Sequence, residues 1–215
     1  MANDKKHAAN LSLLGGLPCL DFVNTLDWRG ADQPVEFLHA YQDLVAWSRH
    51  AGTISAKEAG IISQRSKKLP SKQTKVLGKA ITLRETIYRI FSSLSDGRPA
   101  ASKDLAAFNK SLSQTMKNSQ IVRTKDGYNW DSRGEMAKLG AILNPLIRSA
   151  ADLLVSDELK RVKKCGDPAC GWLFLDTSRN KSRRWCDMSD CGNRAKADRF
   201  YKKSKKDRTS KTPSE

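Results

Sequence analysis

A mainly α-helical fold with a small β element, ending in a short basic module, is what the amino-acid sequence predicts, and three observations carry it. Apolar residues recur at three- and four-residue steps through most of the chain up to about residue 155. That period gives way to alternation across Ile121–Trp130. Near residue 158 the apolar periodicity stops, basic residues take over, and four of the chain's five cysteines follow between positions 165 and 191.

The elements follow in chain order. Leu17-Pro-Cys-Leu-Asp-Phe-Val-Asn-Thr-Leu26 opens the ordered chain with a period that fits either a short strand or the start of a helix, and 30–34 reads as a loop. Phe37, Tyr41, Leu44, Val45 and Trp47 then recur at helical spacing up to Gly52. Ser55-Ala-Lys-Glu58 has the form of a capping box, so a helix is expected over about 56–66. The longest regular stretch, about 71–95, places Val76, Ala80, Leu83, Ile87, Ile90, Phe91 and Leu94 along one face, with Gly97 as its stop. Another helix is expected from Ser102, with Leu105, Phe108 and Leu112 inward. Asp126-Gly127 supplies a hairpin turn for the alternating segment. Helical spacing returns over 136–154, where Pro145 should kink or divide the helix. Residues 1–158 thus read as one mostly helical α+β domain, 159–206 as a separate module, and 207–215, lacking apolar anchors, as a disordered basic tail.

Charge narrows the partner. The chain holds 39 Lys and Arg against 23 Asp and Glu, a formal +16. From Lys160 onward 17 basic and 7 acidic residues give +10, leaving +6 for the much longer N-terminal part. So localised an excess suits a polyanion, nucleic acid before membrane surface. No stretch approaches the length of a membrane span, and no export signal is visible, which makes a cytoplasmic location the expectation. Three histidines, none in a metal or triad pattern, and the lack of a phosphate-binding glycine loop or a GxSxG elbow argue against an enzyme.

The cysteines fall as Cys165-x4-Cys170 and Cys186-x4-Cys191, two close pairs separated by fifteen residues. In a reducing compartment this spacing points to tetrahedral coordination of one structural zinc ion, with no position left open for catalysis. Cys19, alone, reads as a small buried hydrophobe.

Cys191-Gly-Asn-Arg194, preceded by Gly171-Trp-Leu-Phe-Leu-Asp-Thr-Ser-Arg-Asn-Lys-Ser-Arg-Arg-Trp-Cys186, resembles the CGNR zinc finger family. Leu20-Asp-Phe-Val-Asn-Thr25 resembles the opening motif of the ABATE domain that accompanies this finger in bacterial proteins. The resemblance implies a C-terminal treble-clef finger that binds DNA in a stress-induced transcription regulator, and an N-terminal domain that binds an unidentified small ligand.

Within the finger the residues suggest a knuckle at 165–170, a hairpin joining Trp172–Leu175 to Arg183–Trp185, and a helix from about Cys191. Lys196, Arg199, Lys203 and Lys206 would share one helix face, with Phe200 and Tyr201 packing on the hairpin. Arg179, Lys181, Arg183 and Arg184 line the preceding loop and suit phosphate oxygens. Arg194 either reads a guanine edge or braces the finger through Asp176, Asp187 or Asp190. Asn193 reads as a helix cap or a base reader, and Trp172 and Trp185, which could stack on bases, read first as module core. Asp21, Asn24 and Thr25 would share a face if helical, lining a ligand pocket or making capping hydrogen bonds. One finger buries little surface, so a homodimer or help from the first domain is expected. The alternative function is an RNA-binding or protein-docking zinc module without sequence-specific DNA recognition.

Overall fold

A computed structural model describes residues 6–125, 127–131 and 138–209, the side chains of 203–209 lying outside that description. Its content is 56% helical with small antiparallel strand pairs, so the mainly α class holds. The opening motif resolves as a helix, α1 (Pro18–Val23), with proline in its first turn, where a missing N–H costs nothing. Short strands β1 (Leu26–Asp27) and β2 (Val35–Glu36) pair behind it.

Helix α2 (Tyr41–His50) begins where the Asp43 carboxylate accepts the backbone N–H groups of His39 and Ala40, at 2.9 and 2.7 Å. Phe37, expected on that helix, precedes it in the connecting segment and is buried there. Helix α3 (Ala56–Ser66) starts at the Ser55–Glu58 capping box, with both reciprocal bonds formed. The long helix α4 (Pro70–Ser95) buries Ala80, Leu83, Ile87, Ile90 and Phe91 and stops before Gly97 at φ +72°. Helix α5 (Ser102–Lys117) turns Phe108 inward. The hairpin of β3 (Gln120–Thr124) and β4 (Gly127–Asp131) pairs Ile121 with Trp130. Gly127, expected in the turn, instead pairs with Thr124 as the first residue of β4, and Asp126 lies outside the described residues.

Pro145 divides the next segment: a 3-10 turn, Leu139–Leu143, leads into α6 (Asn144–Val155), with the proline in its first turn. A second 3-10 turn, Asp157–Arg161, occupies the expected boundary. After it come β5 (Val162–Lys164), β6 (Leu173–Leu175), a π-helical turn (Met188–Gly192) and α7 (Asn193–Thr209). Helix α7 thus runs into the segment expected to form a tail, and 210–215 lie outside the described residues.

The core does not stop at that boundary. Leu20, Phe22 and Val23 of α1 belong to the same apolar cluster as Ile87 and Phe91 of α4 and Leu146 of α6. Val162, Trp172, Leu173 and Phe174 of the C-terminal module join it, together with the four clustered cysteines. Burial of the central helix therefore requires both halves of the chain.

Candidate metal centre and nucleic-acid interface

The cysteine module is built on a hairpin. Strands β5 and β6 are antiparallel, with Lys164 opposite Leu173, and the Cys165–Cys170 turn connects them. The pairing expected between Trp172–Leu175 and Arg183–Trp185 is not formed. The short turn returns the chain beside β5, and 183–185 is held from outside the ladder. Gly166 N–H donates to the Arg184 carbonyl at 2.8 Å, and the Lys163 ammonium donates to the carbonyls of Lys181 and Arg183 at 2.6 and 3.3 Å.

The Sγ atoms of Cys165, Cys170, Cys186 and Cys191 all lie within 4.8 Å of one another and are buried. Cys170 and Cys191 each stand 3.6 Å from Cys186. A disulfide requires about 2.05 Å, whereas a tetrahedron of thiolates around a metal at about 2.3 Å sets sulfurs about 3.8 Å apart. The donor set therefore fits a tetrahedral metal with every position filled by sulfur.

Around the sulfurs, several polar residues act as braces. The guanidinium of Arg194 donates to Asp167 at 2.7 Å, to Asp190 at 3.0 Å and to the sulfur of Cys191 at 3.2 Å, and sits 4.4 Å from the centre of the Trp28 ring. Of the two readings open for it, bracing is the one the contacts match, with Asp190 foreseen and Asp167 not. Asn193 donates back to the Ser189 carbonyl at 2.9 Å. Trp172 is buried, in keeping with a core role, and Trp185 packs against the core half-buried.

Asp176, which sequence reasoning weighed only as a partner of Arg194, instead organises the basic loop. Its side chain is fully covered and accepts from Lys163 at 2.7 Å, from the Ser178 hydroxyl at 2.6 Å and from the Arg183 N–H at 3.0 Å. Burial alone would raise its carboxyl, yet these donors hold it well below the ordinary carboxylate range. Arg183 is committed too, donating to the carbonyls of Trp185 and Cys186 and lying 4.5 Å over the Phe174 ring.

Among the cations expected to meet nucleic acid, Arg179, Lys181 and Arg184 in the loop and Lys196 and Arg199 on α7 are exposed, and none forms an ion pair among the described residues. Lys203 and Lys206 lie on α7 with side chains outside the described residues. Phe200 and Tyr201 do not pack on the hairpin as expected, being 70% and 72% exposed. Every residue from Lys196 to Lys202 is exposed, so each face of these two turns is open to solvent.

The profile of the ABATE family, described as a putative stress-induced transcription regulator, matches residues 16–157, about two thirds of the chain. The chain belongs to the ABATE family. The profile of the CGNR zinc finger matches residues 161–204, which contain all four clustered cysteines. No curated protein matches the chain.

The ABATE opening motif faces inward, onto the finger. Asn24 donates from Nδ2 to the Leu173 carbonyl at 2.9 Å and accepts the Leu173 N–H at 3.0 Å, while the Gly15 carbonyl accepts the Leu175 N–H at 2.9 Å. These bonds complete the edge of β6 that faces away from β5. Next along, the N–H groups of Arg29 and Gly30 donate to the carbonyls of Cys170 and Ala169, both at 3.1 Å. The approach is so close that a Cβ on Gly30 would stand 1.9 Å from the Pro168 carbonyl oxygen.

Asp21 accepts the Gly15 N–H at 2.7 Å, and burial raises its carboxyl to about 6 against the pull of that bond and of His50. Thr25 donates to the Phe22 carbonyl and accepts from the buried Arg84, which also forks onto Glu36 at 2.7 Å. Asp21, Asn24 and Thr25 are thus hydrogen-bonded within the fold, and neither of the two main cavities among the described residues is lined by them. One cavity, about 240 Å³, opens instead between the ABATE domain and the finger, against Trp28, Asp27, Trp172 and Arg194. Asp27 is buried in its wall, and desolvation pushes its carboxyl up. The Cys19 thiol, also buried, is raised to about 12 by desolvation, which makes it a packing residue.

Proposed function

We propose that this ABATE protein is a DNA-binding transcription regulator whose finger is locked by one structural zinc ion. The observation that carries the reading is the set of exposed cations Arg179, Lys181, Arg184, Lys196 and Arg199, none in an ion pair among the described residues, borne by a loop and a helix that enter and leave the same cysteine cluster. Zinc suits four thiolates in tetrahedral array, and the order of knuckle, hairpin and helix supports a treble-clef finger. Phosphate contacts by such residues supply affinity, and in a reducing cytoplasm the cluster would keep its metal.

The bracing of Arg194 and Arg183 favours the other cations as phosphate ligands. A single finger offers a small contact surface, so a second copy of the chain or the ABATE domain itself would have to add affinity. A sensing role for the ABATE domain is best supported at the interdomain cavity, where a small molecule would touch Trp28 and Arg194 at once. The chemistry is binding, not catalysis: the charged clusters described here hold structure together.

The test is binding of zinc-loaded protein to a duplex across a salt series. Each phosphate contact contributes about 0.9 to the slope of log affinity against log salt. The double change Lys196→Ala, Arg199→Ala should lower that slope by roughly 2; an unchanged slope moves the interface elsewhere. Preference for single-stranded RNA by tenfold or more in competition would favour the RNA-binding alternative.

A further inference from the structure

We propose that Phe200 and Tyr201 form an aromatic platform that stacks against the bases of the nucleic acid whose phosphates the neighbouring cations hold. The inference rests on the DNA-binding reading and extends it from backbone to base. Both rings are more than two thirds exposed, and they meet edge to face, with centroids 6.3 Å apart and planes at 73°. Helices in folded proteins bury an aromatic stripe against a neighbour, because an exposed ring forfeits the free energy of leaving water. Here seven consecutive exposed residues leave each face of this stretch of α7 open to solvent.

Charge selects the occupant. Helix α7 carries eight Lys or Arg and two Asp. A second copy of the chain meeting it face to face would bring like charges together, and an apolar protein groove would have to desolvate them. A nucleic acid offers what the surface lacks, anionic phosphates beside flat apolar faces. Phe200 stands four residues after Lys196 and three before Lys203, so a cation flanks it one turn away on either side. Cations flanking aromatic groups are the arrangement by which proteins follow a single strand and stack on its bases, and on a duplex the rings would enter at an unstacked base step. Arg199 Nε is held by the Ala195 carbonyl at 3.1 Å, which lays the guanidinium back along the helix.

The experiment uses the full zinc-loaded chain with a 2-aminopurine-labelled duplex and the matching single strand, comparing wild type with Phe200→Ala and with Phe200→Ala, Tyr201→Ala. Circular dichroism melting should be unchanged in both variants, since neither ring packs on the fold. The expected result is a base-stacking change in 2-aminopurine fluorescence with wild type, and roughly 5- to 150-fold weaker binding by the double variant with the salt slope intact. Equal affinity of wild type and the double variant overturns the platform while leaving DNA binding in place. Self-association of wild type that disappears in the double variant assigns the rings to a copy-to-copy contact and overturns it as well. If wild type binds neither probe, the DNA-binding reading falls and the platform with it.

Discussion

Replacing Asn24 by alanine removes both hydrogen bonds through which the ABATE domain completes the outer edge of β6. The Leu173 N–H and carbonyl, at 3.0 and 2.9 Å from Asn24, are buried, and alanine leaves no side-chain partner for them. A buried backbone group stripped of its partner costs about 1–3 kcal/mol, so two such groups predict a loss of roughly 2–6 kcal/mol. Against a total near 5–15 kcal/mol for a domain, that is a large fraction. The assay is urea unfolding of zinc-loaded protein followed by tryptophan fluorescence, in which the midpoint should fall while the slope stays constant. The finger should keep its metal, because the four sulfurs are held by their own turns. A change below about 0.5 kcal/mol would refute the edge-completion argument, as it is what an ordinary surface substitution produces.

Other perturbations follow from the same geometry. The folded state binds the Asp21 proton more tightly than the unfolded chain does, so ionisation favours unfolding. Wild type should therefore lose up to ~3 kcal/mol relative to Asp21→Asn as the pH rises from about 4 to about 6; parallel stability profiles of the two proteins would contradict this. Asp176→Asn removes the charge that holds Lys163 and the basic loop, and should cost about 2–3 kcal/mol by urea titration as well as weaken duplex binding. Gly30→Ala sets a side-chain carbon against the Pro168 backbone and should destabilise by about 1–3 kcal/mol in thermal unfolding. Chelation of the metal should lower the melting temperature of the whole chain in one transition, since the core is shared. A separate, unshifted transition for the N-terminal domain would count against that shared core.

Much of this architecture was legible in the chain because its determinants are local. The capping box at Ser55 and Glu58 placed α3, and the periodic run with Gly97 behind it placed α4. Asp126-Gly127 marked the hairpin, and the cysteine spacing foretold the cluster. The pairing of β6 departs from the expected one because Trp172–Leu175 is apolar throughout and points to neither neighbour, and only the tight Cys165–Cys170 turn decides between them. Helical spacing suggests packing for Phe200 and Tyr201, because aromatic residues on a helix usually are buried; in the fold both rings are exposed, and the part of α7 that packs on the module is its first turn, through Arg194. The bracing role of Asp167 left no local signal at all.

By itself the amino-acid sequence determined the helices, the four-cysteine cluster and the placement of positive charge, all of which depend on residues a few positions apart or on composition. Tertiary structure alone decided what the polar residues do. Asn24 meets Leu173 across 149 positions and Thr25 meets Arg84 across 59, and hydrogen-bonding groups carry no periodicity to announce such partners. The physical reason is that burial pattern repeats along a chain, whereas the choice of a buried polar partner is made only once the chain has closed on itself.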